Sequence, residues 1–269
     1  MLVQVKNIFI FLILLIPLFL ITGPALPDII VSLSVLFGIS YLFYLKKYKE
    51  INNIGFFNIS IYLWFSLIFI SLFSYNKITS FQDSIIFLRF LLIPILMYYI
   101  FFKSEKIIYF ALVLILGLVI FVCIDTFYQF LNYTSENGFG NDLFGFKSNW
   151  YGRLTGPFGD ELIPGSYISK FGLLGYVLLI LNKKFRTKSF LHAFYLSSIL
   201  LVSFVTGERM AFATFLMSLL FLFIFLAEYR KSIFLSILFG VLAIFITLKT
   251  HPFYNDYKII ESTEFHQGL

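Results

Sequence analysis

The sequence reads YGRLTGPFGDELIPGSYISK from Tyr151 to Lys170 and closes the long polar interruption in an otherwise apolar chain. This stretch contains four glycines, two prolines, one arginine and two adjacent carboxylates, and an apolar run resumes directly after it. A second and much shorter break, Thr206-Gly-Glu-Arg209, returns to apolar sequence at Met210. We interpret the apolar segments around these two breaks as a membrane frame that brings them together.

The composition indicates a polytopic membrane protein. The chain is 60% hydrophobic and 13% charged, whereas soluble domains carry about 25% charged residues. Apolar runs of about 17–25 residues recur along the chain, and this is the length that spans a bilayer core. The net charge of +6 does not indicate nucleic acid binding, because the basic residues lie in short segments between apolar runs. A single cysteine, Cys123, excludes a disulfide framework or a cysteine metal site.

The apolar runs predict helices. Only helices and closed barrels satisfy the backbone in lipid, and the runs lack the alternation of barrel strands, so we predict an all-α integral membrane protein with about nine transmembrane helices. The first run is also similar to a secretory signal peptide, but the apolar segments that follow favour an uncleaved span. The predicted spans are Ile8–Thr22, Asp28–Leu45, Phe56–Phe73, Phe81–Phe102, Ile107–Leu131, Gly165–Leu181, Phe190–Val205, Met210–Ala227 and Ser232–Leu248.

The distribution of basic residues predicts the orientation. Twelve of the 20 lysines and arginines lie in segments on the same side of the predicted spans as the N-terminus. The positive-inside rule therefore predicts a cytoplasmic N-terminus and places both polar breaks outside the cytoplasm. The predicted organisation is transmembrane helices 1–5 in 1–131, a periplasmic loop in 132–164, helices 6–9 in 165–249 and the start of a further periplasmic loop in 250–269.

Arg209 follows a turn of a few residues and is predicted to open a helix. A cation there meets the positive end of the helix dipole, which costs about 0.3–1 kcal/mol unless an anion lies nearby. Free N–H groups at the same helix start would help to hold a phosphate. Two interpretations stay open: an anion site formed by Arg209 and the helix N-terminus, or neutralisation of Arg209 by Glu208 at the lipid headgroups.

Arg153 lies in a segment rich in glycine and proline, where the backbone approaches a ligand closely. A structureless connection of about 33 residues is longer than a connector needs, which favours a function; the alternative is a plain link between two helices. Asp160 and Glu161 are adjacent, so their side chains diverge and do not form a paired acid and base. We expect them to cap the next helix or to bind Arg153.

Arg89 lies about eight residues, or roughly 12 Å, inside its span. Charges at that depth face a cavity or a partner, so we predict cavity lining, with snorkelling to the headgroups as the alternative. Asp83, six residues earlier, is an imperfect partner on the same helix. Asp125 and Gln129 lie four residues apart on one helix face. They would hydrogen-bond a sugar or orient Arg89, or else only mark where the helix leaves the membrane.

His266 is the histidine that the sequence singles out as a possible base. It lies three residues from the end of the sequence in a polar setting, and its reference pKa of about 6.5 suits proton transfer. His192 and His251 lie at span edges and are assigned no chemical role. The sequence contains no nucleophile elbow, no phosphate-binding Gly-Lys-Ser/Thr loop and no His-Glu-x-x-His zinc motif.

These pieces, in this order, resemble the O-antigen ligase and O-antigen polymerase superfamily of bacterial membrane glycosyltransferases. The resemblance rests on Arg153-Leu-Thr-Gly-Pro-Phe-Gly-Asp-Glu161 with the Gly-Ser-Tyr helix start after it, on Thr-Gly-Glu-Arg209, and on His266-Gln267. It covers the chain from Phe81 to Leu269. Because the family normally has a large periplasmic loop and further spans after this histidine, we expect the chain to be the N-terminal part of such an enzyme.

The resemblance implies transfer of a glycan from an undecaprenyl-diphosphate carrier in the periplasm, without a cofactor, a nucleotide sugar or a metal. Arg153 and Arg209 would hold the diphosphate, while Arg89 would add positive charge. His266 would activate the acceptor hydroxyl, and the arginines would stabilise the leaving diphosphate. The possible supporting residues are Asp125, Gln129, Asp160 and Glu161.

Ligases of this superfamily attach the glycan to lipid A–core, whereas its polymerases extend the glycan itself, and the sequence leaves both open. The resemblance implies a bacterial inner-membrane location with a periplasmic active face, a lipid-linked glycan donor and a glycolipid or glycan acceptor. A transporter or flippase for an anionic lipid-linked sugar is the remaining alternative. Such a protein would show inverted repeats and helices broken near the midplane, and the sequence shows neither.

Overall fold

The computed structural model describes residues 2–46, 55–101, 104–183 and 185–256, and 79% of the structure is helical. Apart from two isolated bridges, these residues form no β-structure. Residues 252–256 form a short helical segment after the last long helix. The long helices are α1 Leu2–Phe19, α2 Ala25–Tyr44, α3 Gly55–Ser71, α4 Lys77–Leu96, α5 Glu105–Leu131, α6 Pro164–Leu181, α7 Ser189–Val205, α8 Arg209–Phe225 and α9 Arg230–Thr250.

Six of these helices, namely α1, α2, α4, α5, α6 and α9, are long and apolar enough to cross a membrane. The other three are also apolar but have only 17 residues each. Every predicted span falls on one of the nine helices. The prediction of an all-helical fold is therefore confirmed for the described residues, and six of the helices have the length and composition that a membrane span needs. The number of crossings and the orientation remain predictions.

Several serine hydroxyls within the helices are satisfied locally, as an apolar surrounding favours. The Ser34 hydroxyl donates to the Ile30 carbonyl at 2.7 Å, and the Ser40 hydroxyl donates to the Leu36 carbonyl at 2.8 Å. Pro94 lacks an N–H, and a π-helical turn follows it at Met97–Phe101. Such turns commonly accommodate a proline inside a long helix.

The chain divides into two compact units, and the first comprises residues 1–111. Its core is formed by apolar side chains of α1, α2 and α4, including Phe9, Leu42 and Leu96. Gly38 of α2 allows this close packing, because a Cβ there would lie 2.8 Å from Cδ1 of Leu96, which would have to shift.

The second unit comprises residues 112–269 and is organised around α7, which contacts α6, α8 and α9. The buried face of α7 includes Leu196, Ile199 and Leu200. Glycines of the neighbouring helices receive this face: a Cβ at Gly172 would lie 2.6 Å from Cδ1 of Ile199. Small residues at such contacts let apolar helices approach closely.

The polar segment between α5 and α6 is a loop held by local contacts of its own. Two isolated antiparallel bridges pair Thr134 with Gly138 and Asn141 with Lys147. Within the second bridge, Oδ1 of Asp142 accepts hydrogen bonds from the N–H groups of Phe144 at 2.9 Å and Phe146 at 2.7 Å. An aspartate that binds the backbone a few residues onward is a common way to fix a turn.

Candidate anion-binding cleft

Gln129, near the end of α5, fixes the polar segment onto the helices. Its buried carboxamide oxygen accepts from the N–H groups of Thr155 at 3.1 Å and Gly156 at 2.9 Å. Its Nε2 donates to the Phe146 carbonyl at 3.3 Å. The Gln129 carboxamide is hydrogen-bonded to the backbone of the polar segment, whereas the sequence suggested that it would hydrogen-bond a sugar.

The turn between α7 and α8 packs against the same polar segment. The Leu154 N–H donates to the Thr206 carbonyl at 3.1 Å. Gly207 has a φ of 75°, and a Cβ there would collide with the Gly152 carbonyl oxygen and lie 3.4 Å from Cγ of Arg153. Glycine is thus required at 207 by both the backbone conformation and the close approach.

Glu208 caps α6 from outside that helix. Its carboxylate accepts from the Gly165 N–H at 2.7 Å, the Ser166 N–H at 3.1 Å and the Ser166 hydroxyl at 3.0 Å. Gly165 makes room for this contact, because a Cβ there would lie 3.1 Å from Oε1 of Glu208. The negative charge of Glu208 therefore compensates the positive end of α6, and in the described part of the chain Glu208 makes no ion pair with Arg209.

Asp160 and Glu161 do not cap α6, which corrects the expectation from the sequence. The residue before the helix, Ile163, makes no side-chain cap, and the carboxylate at the helix start comes from Glu208. Asp160 instead accepts a hydrogen bond from the Asn149 amide at 3.2 Å. Both carboxylates are exposed, and within the described residues neither forms an ion pair with Arg153.

Arg153 and Arg209 line one cleft of about 910 Å³. We call it the arginine cleft and define it by these two residues with the aromatic side chains Phe204, Phe212, Phe253 and Tyr254. Both arginines are exposed, and among the described residues neither has an ion-pair partner. The cleft therefore presents two guanidinium groups and the Glu208 carboxylate beside an apolar aromatic wall, and its two cations against one anion suit an amphiphilic anion.

His251 holds the aromatic wall in place. Its Nε2 lies 3.0 Å from the Phe130 carbonyl oxygen, its Nδ1 accepts from the Phe253 N–H at 3.3 Å, and its ring stacks on Phe130 with centroids 3.8 Å apart. Because Nδ1 is an acceptor, the proton resides on Nε2 and the imidazole is neutral. Burial lowers the pKa of His251, although the hydrogen bond to Phe130 acts in the opposite direction. These contacts hold the residues that follow α9, including Phe253, against the cleft.

Asp125 is buried beneath the polar segment and does not reach the arginine cleft lining. Its Oδ1 accepts from the Leu143 N–H at 2.9 Å, and its Oδ2 is buried with no hydrogen-bond partner among the described residues. Like Gln129, Asp125 supports the polar segment through a hydrogen bond to its backbone.

Arg89 lies in the first unit and pairs with Asp28 of α2. Its Nη2 is 2.6 Å from Oδ2 of Asp28, and its Nη1 donates to the Ser32 hydroxyl at 2.8 Å. The ion-pair partner of Arg89, whose side chain is 21% exposed, is thus an aspartate of another helix and not Asp83. His266 lies outside the described residues, so its role as a base stays a prediction.

Glu208 and His251 are the supporting residues that the sequence did not identify. A signal for the first was available, because α6 starts with Pro164 after an isoleucine that cannot cap it, and the uncapped helix start calls for an acceptor from elsewhere. No comparable local signal exists for His251, whose contacts are made with a residue far away in the chain.

Comparison with known proteins adds no relative. No family model, curated protein or solved structure matches this chain. The resemblance to the O-antigen ligase superfamily therefore rests on the motifs alone, and the arginine cleft has to be interpreted from its own chemistry.

Proposed function

We propose that the arginine cleft binds the diphosphate of an undecaprenyl-diphosphate-linked glycan and that the protein is an O-antigen ligase-like glycosyltransferase. In this proposal it moves the glycan to lipid A–core or a similar acceptor at the periplasmic face of the bacterial inner membrane. The observation that carries the proposal is the meeting of Arg153 and Arg209, from two separate polar breaks, in one cleft with an aromatic wall.

The chemistry of the cleft suits both parts of such a donor. Guanidinium groups bind phosphate oxygens through paired, charge-assisted hydrogen bonds. The aromatic wall suits the apolar prenyl chain, and its low polarity strengthens the attraction between arginine and phosphate. Glu208 also lines the cleft, but its carboxylate oxygens accept hydrogen bonds from the start of α6, and within the described residues it makes no ion pair with either arginine.

The proposed reaction is a displacement at the anomeric carbon. The acceptor hydroxyl oxygen forms the new glycosidic bond, the bond between the sugar and the diphosphate breaks, and the hydroxyl proton passes to a base, for which His266 is the candidate. The leaving diphosphate gains negative charge, which Arg153 and Arg209 stabilise in the transition state. A polymerase would use the same donor site with a growing glycan as the acceptor.

Arginine substitutions test the donor site directly. In lipid nanodiscs we expect Arg153→Ala and Arg209→Ala each to weaken binding of undecaprenyl diphosphate by about tenfold or more, because a hydrogen bond to a charged group contributes about 1.5–3 kcal/mol. Lys147→Ala is the matched control, since Lys147 is an exposed cation of the same polar segment outside the cleft. It should change the affinity less than about twofold.

Wild-type affinity in both arginine variants would contradict the diphosphate assignment.

The reaction class is decided separately, with a lipid-linked glycan and an added lipid A–core acceptor. Transfer to lipid A–core supports a ligase, and lengthening of the glycan indicates a polymerase. Movement of the donor between vesicle leaflets without a new glycosidic bond would show a transporter instead.

A further inference from the structure

A second pocket opens beside the arginine cleft, within the same unit of the chain. It has a volume of about 480 Å³ and shares Tyr151, Gly152 and Phe253 with the cleft as a common wall. That volume is in the range of pockets that hold small ligands. We call it the aromatic pocket and define it by Tyr133, Glu136, Asn137, Trp150, Tyr151 and Asp256.

The aromatic pocket presents flat ring surfaces outside the apolar helices. Trp150 is 53% exposed and Tyr151 is 62% exposed, although both lie in the polar segment between α5 and α6. The turn that holds them is closed by a hydrogen bond from the Arg153 N–H to the Trp150 carbonyl at 3.3 Å. Partly exposed rings at the edge of a pocket offer large apolar faces against which the C–H groups of a ligand can pack.

Polar groups surround these rings. The Tyr133 hydroxyl donates to Oδ2 of Asp256 at 3.0 Å. Burial raises the pKa of Tyr133 to about 12, and the hydrogen bond to Asp256 acts in the same direction, so the phenol remains a donor. The carboxylates of Glu136 and Asp256 accept hydrogen bonds from hydroxyl groups, while the Asn137 carboxamide both donates and accepts. Apolar ring faces combined with such groups match a sugar, which has C–H faces and a rim of hydroxyls.

The charge of the aromatic pocket is opposite to that of its neighbour. Glu136 and Asp256 are the charged side chains among the described residues that line it, and both are acidic. Arg153 and Arg209 line the arginine cleft together with Glu208, and neither arginine lines the aromatic pocket. A carboxylate-bearing sugar in the aromatic pocket would meet two like charges, whereas an amine-bearing sugar would meet two opposite charges.

We propose that the aromatic pocket binds the sugar nearest the diphosphate, and that it selects neutral or amine-bearing sugars over acidic ones. The placement of that sugar rests on the proposed function, because a diphosphate held by Arg153 puts the attached sugar at the common wall formed by Tyr151 and Gly152. The selectivity follows from the lining of the pocket itself.

The chain provides a built-in reporter for this pocket. It has two tryptophans, Trp64 and Trp150. Trp64 belongs to α3 of the other unit, where its indole N–H donates to the Ser84 carbonyl at 3.0 Å. Trp64→Phe therefore leaves Trp150 as the sole tryptophan, and its fluorescence reports on the aromatic pocket.

Three trisaccharides of different charge test the selectivity in nanodiscs. They are neutral chitotriose, its de-N-acetylated form at a pH where the amines are protonated, and trigalacturonic acid. We expect saturable changes in Trp150 fluorescence, tightest for the cationic sugar and at least about threefold weaker for the acidic sugar than for the neutral one. Tyr151→Ala should weaken binding of chitotriose by about 3- to 10-fold.

Charge variants identify the residues that set the order. Glu136→Gln and Asp256→Asn should each bring the affinity for trigalacturonic acid closer to that for chitotriose. Glu161→Gln, an exposed carboxylate outside the pocket, should leave the order unchanged. Circular dichroism of each variant checks that the helices are intact.

If the order of the three affinities does not follow the charge of the sugars, the proposed selectivity is wrong. A Trp150 signal that responds to brominated lipids but to none of the sugars would make this ring a membrane-interface anchor and overturn the whole inference. Farnesyl diphosphate, which carries no sugar, is titrated in parallel to report on the arginine cleft. If it binds while the sugars do not, the aromatic pocket assignment fails alone, and if it too fails to bind, the proposed function fails with it.

Discussion

Glu208→Ala removes the carboxylate that caps α6 from outside the helix. The substitution leaves the N–H groups of Gly165 and Ser166 and the Ser166 hydroxyl without their acceptor. A hydrogen bond to a charged acceptor contributes about 1.5–3 kcal/mol, and loss of an ordinary N-cap costs about 0.5–2 kcal/mol. Because the hydroxyl can rotate to another acceptor, we expect the free energy of unfolding to fall by about 2–4 kcal/mol. For a chain of this size the melting temperature would fall by about 4–15 °C.

Thermal unfolding in detergent micelles, followed by far-UV circular dichroism, measures this change. Glu161→Ala is the matched control, because Glu161 is an exposed carboxylate shortly before the same helix, and its removal should cost less than about 0.5 kcal/mol. Glu208→Gln should fall between the two, since the carboxamide oxygen can accept one N–H but its amino group cannot accept the other. Equal melting temperatures for Glu208→Ala and Glu161→Ala would refute the capping role.

Two further predictions concern the walls of the arginine cleft. Gly207→Ala should weaken undecaprenyl diphosphate binding by about tenfold or more, because the new Cβ collides with the Gly152 carbonyl and separates Arg153 from Arg209. Gly159→Ala controls for backbone strain alone, since Gly159 has a φ of 65° and a Cβ there would have no atom within 4 Å. Equal affinities of the two variants would show that the close approach at Gly207 is not needed. Burial lowers the pKa of His251, so the unfolded chain takes up that proton first as the pH falls below about 6.5. The melting temperature of the wild type should therefore fall relative to that of His251→Phe as the pH is lowered from about 6.5 through the folded pKa; a difference between the two proteins that does not change with pH would contradict this.

The helical frame was predictable because its cause is local. An apolar run of sufficient length must form a helix in lipid whatever its neighbours are, and every predicted span falls on an observed helix. The bounds differ where polar residues extend a helix beyond the apolar run, as at Lys77, where α4 begins before the predicted Phe81. Hydropathy identifies the part in lipid, whereas backbone hydrogen bonding decides where the helix begins.

Partner choice was less predictable, because it depends on contacts between distant residues. Glu208 precedes Arg209, which suggests a local ion pair, yet its acceptor oxygens serve a helix start 43 residues away at Gly165. Arg89 similarly pairs with Asp28, 61 residues away, and not with Asp83 on its own helix. Adjacency in the sequence fixes which charges are near one another but not the direction of their side chains.

Within the described residues, the opposite charges around the cleft form no ion pair with one another. Glu208 is held at the N-terminus of α6, where two backbone N–H groups and the helix dipole compensate its charge. Arg209 opens α8, where the dipole is unfavourable for a cation, and this cost is offset when an anion binds. The same turn thus orders the protein and leaves positive charge available to a ligand. Glu208→Ala should consequently lower stability without the loss of diphosphate affinity that is expected for Arg153→Ala and Arg209→Ala. Measuring unfolding and binding on the same preparation separates the two effects.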